Sequence, residues 1–204
     1  IFMGSKYSYF LMLFFFVPIS LETRTILTLW LKIVPDYAVV FTQLTLMSTM
    51  CMMLGNTLVT AIQATGQIRK YSLVMGLMAL SNFPLTWIAF ALDASPVWAY
   101  IIYLAIFFCM IFVRLHMAKE KVRLSAWDYT SNVLLKAFWV TVIAFVAPVA
   151  ICLFQPDSFF RLVEVCGVSV VCSLVAIYVA GMNEFERNYV KGIVVKKLPG
   201  LTKS

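Results

Sequence analysis

The sequence predicts an all-α protein, a polytopic membrane helix bundle of about six transmembrane helices. Three observations carry that expectation. Of 204 residues, 63% are hydrophobic and only 12% are charged, with mean hydropathy +0.94; a soluble domain is about 25% charged. The charged residues bracket six apolar stretches, each near the length of about 20 residues that a helix needs to cross about 30 Å of hydrocarbon. The basic residues then fall almost entirely on one side of those stretches. Such a chain cannot cover a water-facing surface, which excludes a soluble enzyme, a nucleic-acid-binding domain and a disordered polymer.

The spans are expected at about 7–21, 38–63, 71–92, 97–113, 134–155 and 163–182. Lipid-facing backbone must be hydrogen-bonded within its own segment, which requires helices. The short alternating segments of a membrane barrel do not occur. The first span, bounded by Lys6, is the shortest; at 1.5 Å per residue it reaches only about 22 Å. It crosses if Lys6 snorkels to the interface and the helix runs on towards Glu22, and is otherwise re-entrant.

Six spans place both termini on one side. That side receives Lys6, Arg69, Lys70, Arg114, Lys119, Lys121, Arg123, Lys136, Arg187, Lys191, Lys196, Lys197 and Lys203, which is 13 of the 16 basic residues. The other receives Arg24, Lys32 and Arg161. The positive-inside rule makes both termini cytoplasmic, and the net charge of +7 becomes a loop bias rather than a nucleic-acid footprint.

Between spans, Arg24, Thr25, Thr28 and Lys32 share one helical face of the segment 21–33, which reads as a short interfacial helix anchored by Trp30 or as an extension of the first span. Pro35 ends it. Asp93-Ala94-Ser95-Pro96 reads as a tight outer turn with Pro96 at a helix start. Residues 114–131 form the main cytoplasmic loop, with Trp127 and Tyr129 at the interface. Gln155-Pro156-Asp157 separates the last two spans.

Few residues point to chemistry. Cys51, Cys109, Cys152, Cys166 and Cys172 lie in apolar spans without CxxC spacing and read as packing residues, a Cys152–Cys166 disulfide remaining open. His116 is the single histidine and has no convergent metal ligands. No nucleotide-binding or hydrolase motif occurs, so neither an enzyme nor a cofactor is predicted. The informative feature lies on the second span. Thr45, Thr49, Asn56, Thr60 and Gln63 fall on one helical face. Polar groups there avoid lipid, so they either hydrogen-bond a neighbouring helix or wall a wet substrate cavity. In the third span, Asn82 and Pro84 mark a kink, since Pro84 has no N–H for the carbonyl of Leu80.

Three stretches carry a family resemblance: Ile26-Leu27-Thr28-Leu29-Trp30-Leu31 followed by Pro35-Asp36-Tyr37-Ala38 and Phe41; Ala61-Ile62-Gln63-Ala64-Thr65-Gly66-Gln67-Ile68 closed by Arg69, Lys70 and Tyr71; and Leu80-Ser81-Asn82-Phe83-Pro84-Leu85. In this order the chain resembles the C-terminal part of bacterial polysaccharide flippases, the Wzx-like O-antigen and exopolysaccharide transporters of the multidrug/oligosaccharidyl-lipid/polysaccharide exporter superfamily. Gly181-Met182-Asn183-Glu184-Phe185-Glu186-Arg187 resembles that family's last-helix boundary. The resemblance implies the second lobe of a MATE/Wzx-like transporter in the bacterial inner membrane. Its partners would be the bilayer, a polyprenyl-diphosphate-linked oligosaccharide and an N-terminal lobe that this chain, opening Ile1-Phe2-Met3, lacks. The implied activity is flipping of that glycolipid by alternating access. A multidrug or toxin exporter of the same superfamily and a non-transporting scaffold of glycan assembly are the alternatives; a membrane glycosyltransferase built around His116 has thin support.

Overall fold

The computed structural model describes residues 2–31, 33–66, 68–122, 125–183 and 186–187. Every regular element among them is a helix. Six of these are long and apolar enough to cross a membrane: Phe2–Leu21, Ala38–Ala64, Ile68–Ala91, Val97–Glu120, Ala126–Phe154 and Phe159–Gly181. In chain order the helices are α1 (Phe2–Leu21), α2 (Thr23–Leu31), α3 (Ala38–Ala64), α4 (Ile68–Leu80), α5 (Asn82–Ala91), α6 (Val97–Val122), α7 (Ala126–Tyr129), α8 (Leu135–Phe154) and α9 (Phe159–Ala176). Wider π turns, Thr130–Leu134 and Ile177–Gly181, lead into α8 and close α9. The Ile1, Lys32, Gln67, Arg123, Glu184, Phe185, Lys191, Lys196, Lys197 and Lys203 of the sequence reading lie outside the described residues.

Helix α1 is the hub. It packs on α3, α8 and α9, while α3 pairs with α6 and α8 with α9. Tyr9, Phe10, Leu13 and Val17 of α1 meet Met50, Val140, Ala144 and Ala176 in one apolar core. Leu58, Ile62, Met110, Leu115, Tyr129 and Val133 form a second core between α3, α6 and the α7 segment. Helices α4 and α5 hang on α6; Tyr71 and Met75 of α4 join the second core, while α5 buries no residue.

Three expectations from the sequence change. The first span does not stop at Lys6 but runs past it to Phe2. Lys6 does not snorkel: it is 3% exposed, and its Nζ donates to a Glu186 carboxylate oxygen at 2.5 Å. A lysine met by a carboxylate inside the bundle does not interrupt a helix. Second, the segment 114–131, expected as a cytoplasmic loop, is largely helical. Helix α6 continues to Val122, and Ser125 opens α7 by accepting from the Asp128 N–H at 3.2 Å. Leu115, Met117 and Ala118 are buried, which gives the α6 extension a packed face. Third, Tyr129 is fully buried rather than interfacial, although Trp127 is 76% exposed. The Tyr129 hydroxyl donates to the Leu54 carbonyl and lies 2.9 Å from the Ser5 hydroxyl.

Elsewhere the two readings of segment 21–33 merge. Helix α2 is separate, yet Glu22 N–H donates to Pro18 and Ile26 N–H to Glu22, each at 2.9 Å, so helical bonding runs across the bend. Trp30 is 79% exposed on α2. Gly66, at φ +74°, ends α3 by donating to the Gln63 carbonyl at 3.0 Å; the left-handed conformation suits a residue without Cβ. All five cysteines are free, including Cys152 and Cys166.

Candidate functional site

Helix α3 carries two polar faces, and the structure uses them differently. The inner face ties the bundle together. Gln43 Nε2 donates to the Ser20 carbonyl at 2.9 Å, and Thr57 is hydrogen-bonded to Ser5. Gly55, on the flank towards α6, is where the Arg114 guanidinium lies against the helix; a methyl there would collide with it.

The outer face holds Thr45, Thr49, Asn56, Thr60 and Gln63. Thr45, Thr60 and Gln63 are exposed, and Thr49 and Asn56 are half-buried. Their hydroxyls turn back on their own helix: Thr45 donates to the Phe41 carbonyl at 2.7 Å, Thr49 to Thr45 at 2.9 Å and Thr60 to Asn56 at 3.2 Å. Asn56 Nδ2 reaches only the Met53 sulfur at 3.8 Å. Among the described residues, none of the five hydrogen-bonds another helix. The sequence identified a polar stripe but could not separate it from the neighbouring residues, Gln43 and Thr57, that do the cross-linking.

At its outer end the stripe meets the kink in the third span. Helix α4 ends at Leu80 and α5 starts at Asn82, but helical bonding runs across Ser81, whose N–H donates to the Leu77 carbonyl at 3.0 Å and whose carbonyl accepts from the Leu85 N–H at 3.2 Å, so the two are one kinked span; the Ser81 hydroxyl donates to the Met78 carbonyl at 2.6 Å. Pro84 supplies no N–H to the Leu80 carbonyl, which permits the kink. Thr45 and Asn82 line one cavity of about 390 Å³ with Ala99, Tyr100 and Tyr103. Asn82 Oδ1 and Thr86 Oγ1 are buried without a hydrogen-bond partner. An aromatic ladder stands beside this cavity: Phe41 stacks on Tyr100 at 4.4 Å and on Tyr37 at 6.0 Å. The Tyr37 contact offsets that residue's left-handed φ of 65°, which costs a non-glycine residue about 1–2 kcal/mol.

A second concavity runs between α1, α3, α6 and α8. Two apolar cavities of about 480 and 340 Å³ adjoin there, sharing Tyr9, Cys51 and Phe108. Its lining is almost wholly hydrocarbon and aromatic, apart from the Tyr9 and Thr141 hydroxyls, 2.7 Å apart, and Thr130, whose hydroxyl donates to the Ala126 carbonyl.

Two buried ion pairs fasten opposite ends of the bundle. At the α1–α2 bend, Glu22 is fully buried and receives two bonds from Arg161, from Nε at 2.7 Å and Nη2 at 3.0 Å. At the other end Glu186 accepts from Lys6 and, at 2.8 Å, from the Asn183 N–H. Burial pushes both carboxyls upwards. The bonds from Arg161 and Thr25, and from Lys6 and Asn183, outweigh it and hold each below the ordinary carboxylate range. Charge pairing between residues 139 and 180 positions apart leaves no local spacing signal, so these pairs were not legible in the sequence. His116 meets only Glu120, one turn on, at 3.3 Å. Among the described residues no three His, Cys, Asp or Glu side chains converge.

No protein family, curated protein or solved structure matches the chain.

Proposed function

We propose that the chain is part of a transporter that moves a lipid-linked oligosaccharide across the bacterial inner membrane by alternating access, and that it contributes one lobe of that transporter. One observation carries the reading: none of the five polar residues of the α3 stripe hydrogen-bonds another described helix, and Thr45 at its end shares a cavity with Asn82 at the kink of the third span. Polar side chains on a lipid-exposed face are unfavourable, and a face that alternately meets water and glycan hydroxyls suits them. The kink at Pro84, where the helix lacks one backbone bond, supplies a bending point between α4 and α5. The resemblance of residues 26–41, 61–71 and 80–85 to polysaccharide flippases supplies the substrate class, an oligosaccharide on a polyprenyl diphosphate. The charge bias supports a cytoplasmic position for both termini.

The test has two parts. Thr45, Thr49, Asn56, Thr60 and Gln63 are each replaced by cysteine in membranes and exposed to a water-soluble thiol reagent; all five should react, and uniform protection refutes the wet face. Translocation of a fluorescent polyprenyl-diphosphate oligosaccharide is then scored in vesicles from cells with and without the protein, and equal rates refute the substrate. A phosphatase fused at the C-terminus should be inactive if that end is cytoplasmic.

The apolar groove through Tyr9, Cys51 and Phe108 favours one second reading, an exporter of apolar compounds. Under that reading, drug efflux depends on Phe108 while glycolipid translocation is absent.

A further inference from the structure

The polar face of α2 that stood out in the sequence does not simply face water. It forms one wall of a cavity of about 470 Å³ whose other wall is the turn between α8 and α9. Arg24 and Thr28 stand on the α2 wall, and Asp157 and Ser158 on the turn.

The charges in this cavity do not cancel. Arg161 sits behind the turn and holds Asp157 through Nη1 at 2.7 Å, but it is already bound through Nε to the fully buried Glu22. Two carboxylates therefore share one guanidinium, which leaves one negative charge in excess. Asp157 carries it outwards: its side chain is 65% exposed, and only its Oδ1 is engaged. Across the cavity Arg24 is exposed and makes no ion pair among the described residues. The two opposite charges line one cavity without meeting. A simple anion or cation would satisfy one wall and leave the other bare; a ligand carrying both charges satisfies both. Ser158 Oγ accepts the Arg161 N–H at 3.2 Å, and its own hydrogen remains free to donate. The rim is apolar, with Leu29 68% and Phe159 60% exposed. The cavity stands at the end of the membrane-crossing helices, next to an amphipathic helix.

The geometry points to a binding site for a zwitterionic phospholipid headgroup, phosphoethanolamine, with Arg24 and Ser158 on the phosphate, Asp157 on the primary ammonium, and Leu29 and Phe159 against the acyl chains. A carboxylate with a free oxygen suits an N–H donor better than a quaternary ammonium, which has none. This site is independent of the transport reading.

The test is native mass spectrometry of the chain released from detergent micelles that contain equal amounts of phosphatidylethanolamine, phosphatidylcholine and phosphatidylglycerol. The wild type should retain phosphatidylethanolamine about tenfold over either competitor, a preference of about 1.4 kcal/mol. Arg24→Gln should bring that retention down to the level of the competitors. Asp157→Asn removes the negative wall but keeps Arg24 and the Glu22–Arg161 pair, and should switch the preference to phosphatidylglycerol. Equal retention of the three lipids by the wild type overturns the proposal, and so does an unchanged preference in Asp157→Asn.

Discussion

The first and third spans are similarly apolar and pack in opposite ways. Their mean hydropathies are 1.3 and 1.6, yet 44% of the first is buried and only 6% of the third. In a bilayer, apolarity inserts a helix but gives it no reason to leave lipid for another helix, because hydrocarbon is equally available in both places. What α1 has, and α4–α5 lacks, is polar partners: Lys6 with Glu186, Ser5 with Thr57, Tyr9 with Thr141, and the Ser20 carbonyl with Gln43, with Glu22–Arg161 at the bend that follows. On α9 Ser169 and Ser173 are fully buried as small packing residues, their hydroxyls without a hydrogen-bond partner among the described residues, so α9 is held by close packing rather than by these groups. The polar groups of α5, Asn82 and Thr86, have no such partners. The hub is made by a few specific bonds, and the arm is loose because it lacks them.

The comparison breaks first if the outer pair is not structural. Arg161→Met leaves Glu22 charged and buried with no cationic partner and only the Thr25 hydroxyl and Cys152 thiol as donors, which should cost about 3–5 kcal/mol; denaturant titration in micelles, followed by circular dichroism, measures it. Adding Glu22→Gln should restore most of the loss, since a neutral amide no longer needs the guanidinium. Lys6→Met should cost less, about 2 kcal/mol, because Glu186 keeps the Asn183 N–H.

Acid should weaken both ends more gently than either mutation, since protonation leaves no bare anion. Glu22 and Glu186 have folded pKa values below their unfolded ones, so their stabilising effect is complete above the ordinary carboxylate value of about 4.3. It is lost as pH falls through the lower folded values. Melting temperatures should therefore be level from neutrality to about pH 5 and fall only below about pH 4. A fall centred near neutrality would mean that neither pair forms.

A single neutral bond should matter least to the hub. Tyr9→Phe and Gln43→Leu are each expected to cost about 0.6 kcal/mol, the usual size of a membrane interhelical hydrogen bond. In the arm, Asn82→Leu removes a carbonyl oxygen with no partner and should leave stability within about 0.5 kcal/mol, while slowing glycolipid translocation if the proposed function holds. A large stability loss there would erase the distinction between hub and arm.

Much of the architecture was legible because hydropathy and charge are properties of contiguous sequence. The span boundaries came within a few residues where no charge intervened, as at 38–63, whereas the third span starts at Ile68 and runs through Arg69 and Lys70, three residues before its expected start. They failed at Lys6 and over 114–131, where charged residues continue a helix because a distant carboxylate or a packed face accommodates them. The stripe on α3 followed from its spacing, but its separation from the cross-linking face of Gln43 and Thr57 depends on where α1 and α6 dock.

By itself, then, the sequence determined that six helices are long and apolar enough to cross a membrane, and where they turn, because insertion depends on composition counted along the chain. Only the tertiary structure decided which helix is the hub, which polar face of α3 bonds to its neighbours, and that Glu22, Arg161, Lys6 and Glu186 close two pairs. Those outcomes rest on contacts between residues far apart in the chain, and a buried charge is tolerable only where the fold delivers its partner.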